Sequence, residues 1–329
     1  MLNVCYATDD KFAMQTGISL LSLLENNKDL DICVYILANE ISNDNKINLE
    51  EITKDKAELH FIDVSKFLRE KIEVQGIASY NNSFDAYSRI FIAELLPNNI
   101  SKILYIDGDT IINGNLMELA YMDINIYSCA MVKDIRSEKY KEKIGLENIY
   151  EFYNSGVIFI NLDFWRKHNI AENLLSDILN FPTEFAENCA LCRVLKGKIK
   201  TLPLSYNATS LLRLLNDESI YTIAFRSDIP FYSKQELNEA RENPVILHFP
   251  NWFLSGRPWF TNCIDKIGVK IWDNYFKMSP WNKIFKKHRQ NYGPIIWNVK
   301  IYIKKNLFMM LPEQMFIKKI LLRNRSKRG

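Results

Sequence analysis

The sequence predicts an α/β fold on a mostly parallel central sheet, and three observations carry that expectation. Strand-like apolar runs alternate with helix-period segments through residues 1–265. Some runs, such as Val157–Ile160, are apolar in succession, the pattern of a strand buried on both faces. Asp9, Asp107 and Asp109 stand just past the carboxyl ends of expected strands, where open α/β sheets bind ligands. With 329 residues, 47% of them apolar, the chain can bury a substantial core, and its 11 Gly and 10 Pro exclude a disordered or collagen-like polymer.

Taken in order, Leu2–Ala7 reads as the first strand and runs into Thr8-Asp9-Asp10. Met14–Leu24 places Ile18, Leu21 and Leu24 at helical spacing. Asp31–Leu37 is rich in strand formers, and Ser42–Thr53 opens a helix with a Ser cap. Ala57–Val64 is the next expected strand and Ser65–Lys71 a short helix. Phe84–Leu96 reads as one helix stopped at Pro97. Lys102–Ile106 and Ile126–Val132 are expected strands, as is Gly156–Asn161. Helices over Ile170–Asn180 and Asn188–Lys196 follow, then strands near Ile199–Leu202 and Val245–Phe249.

The net charge of +3 conceals an asymmetry. Residues 266–329 carry sixteen Lys and Arg against two acids, Asp273 and Glu313, so the preceding body is net acidic. Trp272, Tyr275, Trp281, Trp297 and Tyr302 interleave with those cations, which suits the interface of an anionic membrane. Core packing of the aromatics with solvated charges is the plainer alternative. The apolar stretches Leu307–Leu311 and Ile320–Leu322 are too heavy for a phosphate-tracking surface, so nucleic acid is not an expected partner. The chain thus divides into an α/β domain over 1–262 and a helical, basic–aromatic segment over 263–329 expected to attach to a membrane surface. No run of ~18 apolar residues predicts a spanning helix. Acids at Asp9 and Asp10 come too early for a secretory signal, which points to a cytoplasmic protein held at the inner face of the cell membrane. Six cysteines show no disulfide framework, and Cys189-Ala-Leu-Cys192 reads as two core thiols one helical turn apart rather than a zinc or redox pair.

The sharpest chemical signal is Asp107-Gly108-Asp109. Two carboxylates two residues apart, on a turn leaving a strand, can converge on one hard cation, Mn²⁺ or alternatively Mg²⁺, bridging it to a diphosphate. A solvated Asp-Gly turn is the common structural alternative. Tyr105-Ile-Asp107-Gly-Asp109-Thr110 also matches the Asp-x-Asp-x-Thr pattern of haloacid-dehalogenase-type phosphatases. No later strand ending in Gly-Asp or Asp-Asp accompanies it, which leaves that reading minor.

The motif has company. Tyr6-Ala7-Thr8-Asp9-Asp10 and Ala86-Tyr87-Ser88-Arg89 precede it; Tyr153-Asn154-Ser155-Gly156 and Leu195–Asn207 follow, then His248-Phe249 and Arg257-Pro258-Trp259. In this order and spacing they resemble family 8 of the retaining glycosyltransferases over roughly residues 2–263.

The resemblance implies a GT-A fold over the first domain. It also implies transfer of galactose or glucose from a UDP-sugar, with retention, to a bacterial surface-glycan or lipid-linked oligosaccharide acceptor. Asp107, Asp109 and His248 match the family's Mn²⁺ ligands. Ala7, Thr8 and Asp9 match the loop holding uracil and ribose, with Phe12 stacking on the base, although Phe12 can equally be core. Arg89 matches a contact to donor sugar and phosphate, with an Asp85–Arg89 pair as the plain alternative. Gly108 accompanies Asp107 at the nucleotide sugar, Asn154 and Ser155 match the segment along the sugar hydroxyls, and Arg257 matches a basic residue on the diphosphate.

Two departures stand out. Where the family carries Asp-Gln-Asp, this chain has Glu187-Asn188-Cys189, so the catalytic positions Glu187 and Asn188 have altered reach and one acid is gone. A non-catalytic UDP-sugar-binding assembly subunit is therefore the alternative function. The stretch between His248 and Arg257 is also long, and Asn251–Ser255 is expected to form part of an acceptor pocket or a lid.

Overall fold

A computed structural model of the chain describes residues 1–77, 84–134, 151–183, 186–217, 220, 232–250, 256–284, 300 and 303. In chain order the strands are β1 (Leu2–Asp9), β2 (Ile32–Asn39), β3 (Glu58–Asp63), β4 (Lys102–Ile106) and β5 (Thr110–Ile112). Then come β6 (Cys129–Lys133), β7 (Tyr153–Asn161), β8 (Ile199–Thr201), β9 (Ala208–Thr209) and β10 (Ile246–His248). Seven of them form a central sheet in the order β3-β2-β1-β4-β7-β6-β8. β1 pairs in parallel with β2 and β4, β2 with β3, and β6 with β8, while β7 alone runs against its neighbours β4 and β6. The expected mostly parallel sheet is thus mixed by one reversed central strand.

The continuous apolar runs have a geometric cause. Leu2, Val4 and Tyr6 of β1, with Val34 and Ile36 of β2, enter one core; Cys5, Cys33, Tyr35 and Leu37, offset by one residue, enter another. Each face of the sheet is covered, so both sets of alternating side chains must be apolar. Helix Ala13–Asn26 is buried from Ala13 through Leu24 because a second layer lies over it. Helix Asn43–Thr53 has the expected cap, Ser42 Oγ accepting from the Asn45 amide at 3.4 Å.

The expected helix Phe84–Leu96 is broken into helix Asp85–Ser88, a 3₁₀ turn Arg89–Phe91 and helix Ile92–Leu95. The break falls where the buried Arg89 donates through Nε to the Ala86 carbonyl at 3.0 Å, an acceptor that an unbroken helix would direct to the Ile90 amide. A three-stranded sheet, β5-β10-β9, accompanies the central one: β10 falls within the expected strand Val245–Phe249, whereas β5 and β9, three and two residues long, are too short to leave a pattern. Helix Lys234–Glu242 was not among the expected elements. Ser233 and Glu236 form a reciprocal capping box, the Ser-x-x-Glu signal of a helix start.

Beyond Phe260 the chain does not leave the body at once. Helix Lys266–Met278 buries Val269, Trp272 and Phe276 on one stripe, and Trp281 follows it into the same core as β1. Asp265 caps this helix, accepting from the Gly268 amide at 2.9 Å, and pairs with Arg213 deep in the protein. A β-carbon at Gly17 would stand 2.3 Å from the Trp281 ring, so this close approach needs glycine. Core packing, the plainer of the two readings of these aromatics, holds for Trp272 and Trp281, and the rest of the basic segment falls outside the described residues apart from Lys300 and Ile303. No helix among the described residues is long and apolar enough to cross a membrane. Cys189 and Cys192 are buried and form no disulfide, and the Tyr153 amide donates to Cys192 Sγ at 3.3 Å.

Candidate active site

β4 delivers Asp107-Gly108-Asp109 as a turn into β5, and β5 pairs antiparallel with β10, placing His248 opposite Thr110. Residues 141 positions apart are thereby brought to one point. The ligand atoms of Asp107, Asp109 and His248 all lie within 4.8 Å of one another. His248 Nε2 stands 3.2 Å from Asp109 Oδ1, and Arg257 Nη2 donates to Asp109 Oδ2 at 2.9 Å. Asp107 Oδ1 accepts from Arg89 Nη2 at 2.7 Å and from the Tyr105 hydroxyl at 3.1 Å.

The electrostatics follow from burial and pairing. Burial alone would raise the Asp109 carboxyl, but the Arg257 guanidinium and the His248 imidazole beside it outweigh that, holding it well below the usual carboxylate range. Burial drives the Tyr105 hydroxyl well up, so it stays protonated and acts as a donor to Asp107. Two carboxylates and an imidazole are a fitting donor set for Mn²⁺, and the carboxylates also suit Mg²⁺. Each donor is already oriented by another residue: Asp107 by Arg89 and Tyr105, Asp109 by Arg257, and His248 by Asn207. A second group of metal-capable side chains, Cys33, Glu58 and His60, lies across β2 and β3 near the sheet edge, with Glu58 exposed.

The end of β1 closes over the same turn. Asp9 Oδ1 accepts from the Phe12 amide at 2.8 Å, and the buried Thr8 hydroxyl donates to the Asp9 carbonyl at 3.1 Å. Phe12 meets Trp259 edge-on, ring centroids 5.7 Å apart, and the Arg257 guanidinium lies over both rings at 5.1 and 5.5 Å. Gly108 sits against Phe12 and Thr16. Ala7 is a half-buried residue of β1 next to this turn. The structure thus brings Phe12, Gly108 and Arg257 together at the acidic turn, with Ala7, Thr8 and Asp9 leading into Phe12 along the end of β1.

On the opposite side, Arg89 Nη1 donates to the Ser155 carbonyl at 2.6 Å, and the Ser155 amide donates to Asn188 Oδ1 at 2.8 Å. Arg89 is therefore a buried link between Asp107 and β7, not the surface partner of Asp85. Asn188 Nδ2 is buried and has no hydrogen-bond partner. Glu187 is buried close enough to Arg89 and Tyr87 to act on their charge states. Cys189, one residue on, belongs wholly to the core. Asn154 lies on β7, with both ends of its amide turned to Asp134, Gly156 and Asn207. Sequence reasoning quoted Asn207 only as part of a motif and missed Tyr105 and Asp134. For Tyr105 a weak signal existed, a hydroxyl two residues before Asp107 on the same strand face. Asn251–Ser255 lie outside the described residues.

A sequence profile described as "Glycosyl transferase family 8" matches residues 3–263. General stress protein A of Bacillus subtilis (strain 168) is 26% identical over 291 residues, covering 86% of this chain and 96% of that protein. A lipopolysaccharide 1,2-glucosyltransferase of Escherichia coli (strain K12) is 25% identical over 287 residues, 85% of this chain and 79% of its own length. Among solved structures, the galactosyltransferase LgtC in complex with donor and acceptor sugar analogues superposes with a TM-score of 0.71 at 20% identity, covering 86% of this chain and 100% of that one. The fold is GT-A, and the match leaves the phosphatase reading of Asp107 without support. A profile that spans most of the chain and includes the acidic turn, β7 and His248 places the protein in glycosyl transferase family 8.

Proposed function

We propose that the protein is a metal-dependent, retaining hexosyltransferase that moves galactose or glucose from a UDP-sugar to a surface-glycan or lipid-linked oligosaccharide acceptor. The observation that supports this best is the convergence of Asp107, Asp109 and His248 beside the buried guanidinium of Arg89 and the half-buried one of Arg257. Those three residues would hold Mn²⁺, with Mg²⁺ as the alternative. When bound, the ion supplies Lewis-acid neutralisation of the charge that grows on a departing diphosphate.

The chain's own residues do the remaining work. Arg257 has a buried Nε without a partner, and a diphosphate oxygen is the acceptor its planar fork suits. The β1 turn with Phe12 takes the uracil and ribose. Arg89 keeps Asp107 and the Ser155 carbonyl in place, so the sugar meets a rigid wall formed by Asn154, Ser155, Glu187 and Asn188. The unpartnered Asn188 amide is a donor for a sugar oxygen. The acceptor hydroxyl oxygen bonds to the anomeric carbon from the face that UDP leaves. The bond from that carbon to the β-phosphate oxygen breaks, and this oxygen takes the hydroxyl proton.

The lipopolysaccharide glucosyltransferase names among the relatives support a surface-glycan acceptor. Attachment to the inner face of the cell membrane is supported by the outer side of helix Lys266–Met278, where Lys266, Lys270 and Lys277 stand exposed with Ile267 and Met278. A second reading, a subunit that binds UDP-sugar without turnover, draws on Cys189: it is in the core, so no side chain at that position replaces the missing acid.

The deciding experiment presents UDP- and GDP-sugars to the protein with Mn²⁺ and follows binding and nucleotide release. Release from one UDP-hexose, abolished by EDTA, is the expected result. Tight Mn²⁺-dependent binding without release in the presence of acceptor glycans establishes the binding subunit instead. No binding of any nucleotide sugar overturns both.

A further inference from the structure

Which nitrogen of His248 carries a proton is decided several residues away. Asn154 Oδ1 accepts from the Gly156 backbone amide at 2.9 Å, and a backbone N–H can only donate. That orientation turns Asn154 Nδ2 to the Asp134 carboxylate, 3.0 Å away, which can only accept. The atom of Asn207 that meets Asn154 Oδ1, at 2.9 Å, must then be its Nδ2. Asn207 Oδ1 consequently faces His248 Nδ1 at 2.8 Å, and the hydrogen bond between them requires Nδ1 to carry the proton. Both ends of the chain of bonds are unambiguous, so every amide between them has one permitted direction.

We infer that Asn207 is a positioning residue that makes Nδ1 the proton-bearing nitrogen of His248 and so reserves Nε2 for a divalent cation shared with Asp107 and Asp109. This rests on the metal-dependent reading above and adds to it a residue that touches neither donor nor cation. Asn207 is placed by the fold: it ends the 3₁₀ turn Leu204–Asn207, and β9 then pairs in parallel with β10, Thr209 opposite His248. A β-carbon at Gly156 would lie 2.4 Å from His248 Cε1, so the imidazole lies directly against the β7 backbone. Ligating histidines commonly donate through the other ring nitrogen, and loss of that partner typically costs ~10–100-fold in metal affinity.

The test has two readouts on the full chain. The first needs no metal: ¹⁵N chemical shifts of the imidazoles at alkaline pH, with His248 identified among four histidines by its loss in His248→Gln. The expected spectrum shows His248 protonated at Nδ1 in the wild type, kept in Asn207→Gln and lost in Asn207→Ala. The second is Mn²⁺ titration followed by the electron paramagnetic resonance of free Mn²⁺. Affinity is expected to fall ~10–100-fold in Asn207→Ala and at least ~5-fold less than that in Asn207→Gln, which keeps both an acceptor for Nδ1–H and a donor for Asn154 Oδ1. A wild-type His248 protonated at Nε2 alone overturns the assignment. So does an Asn207→Ala chain that binds Mn²⁺ as the wild type does, or equal losses in Ala and Gln with the tautomer unchanged. A wild-type chain that binds no Mn²⁺ overturns the metal reading itself, and the tautomer spectrum separates that failure from a wrong assignment of Nδ1.

Discussion

Two regions press on helix Ala13–Asn26 from different sides, and they are held by different forces. Toward the acidic turn the helix offers Thr16, beside Gly108, and Ser19, whose hydroxyl meets Thr110 Oγ1 at 2.7 Å. Beyond them lies a net of charges and amides: Arg89 on Asp107, Arg257 and His248 on Asp109, Asn207 on His248. Toward the carboxyl-terminal helix it offers Gly17, filled by Trp281, and Asn26, whose Nδ2 donates to the Tyr275 hydroxyl at 2.6 Å. There Trp259 packs tilted against Trp272, and Trp272 stacks on Phe276, with centroid separations of 5.8 and 5.4 Å. The polar net is directional, so each bond constrains where one atom points. The aromatic clamp is not; it removes area from water and tolerates small shifts.

The clamp nevertheless supports the site. Trp281 Nε1 donates to Asn45 Oδ1 at 2.9 Å, and Asn45 Nδ2 donates to Asp10 Oδ1 at 2.8 Å, at the turn that carries Asp9 and Phe12. Trp259 touches Phe12 from the other side. The comparison teaches that the net should govern turnover and the clamp stability, joined at the β1 turn.

The largest effect is expected from where the chain is cut. Ending it at Trp259 removes Trp272, Phe276 and Trp281 from the core and leaves Arg213 buried without Asp265. No cooperative thermal transition should remain. Ending it at Ile284 removes twelve of the sixteen cations of residues 266–329 but keeps helix Lys266–Met278, so it should preserve the transition and donor binding while weakening sedimentation with anionic vesicles. Undiminished sedimentation would remove the membrane assignment from the segment beyond Ile284.

Next in size is Asp109→Asn, expected to lower hexose transfer on the order of a thousandfold while the folded chain persists. The matching change on the other side is Trp281→Ala, expected to cost about 3–5 kcal/mol in denaturant unfolding while kcat stays within roughly tenfold. A folded Trp281→Ala chain without turnover would break the division between net and clamp. Gly17→Ala should cost less, about 1–3 kcal/mol, because the Trp281 ring must yield to the new methyl.

The smallest effect lies in pH. The Asp109 carboxyl is held below its unfolded value, so the stabilisation it contributes is complete above the ordinary carboxylate range and fades as pH falls toward the folded value. The stability difference between wild type and Asp109→Asn should therefore narrow on acidification, measured by urea unfolding. A difference that widens would mean Asp109 is not the ionised partner of Arg257.

Much of this molecule was legible before any coordinates. The offset alternation of β1 and β2 shows as continuous apolar runs, because a sheet covered on both faces leaves no polar position. Asp107 and Asp109 are neighbours on one turn, so their joint chemistry survives in a three-residue string. His248 was identified only by resemblance, since nothing local ties residue 248 to residue 109. The break at Arg89 was illegible for a related reason. Helix propensity reads straight through Ser88–Phe91, and only the distant Asp107 and Ser155 explain why that side chain turns inward. Trp272 and Trp281 had the right pattern but no visible partner, and a basic, aromatic stretch reads alike whether its apolar side meets lipid or Gly17.

The amino-acid sequence by itself determined the α/β layering, the acidic turn and the family, because these depend on period, local turns and spacing along the chain. Tertiary structure alone decided the Asn154–Asn207–His248 order of bonds, the pairing of Arg257 with Asp109 and the seat of Trp281. Those depend on which atoms of distant residues meet, and hydrogen-bond direction and cavity shape exist only once the strands are in register.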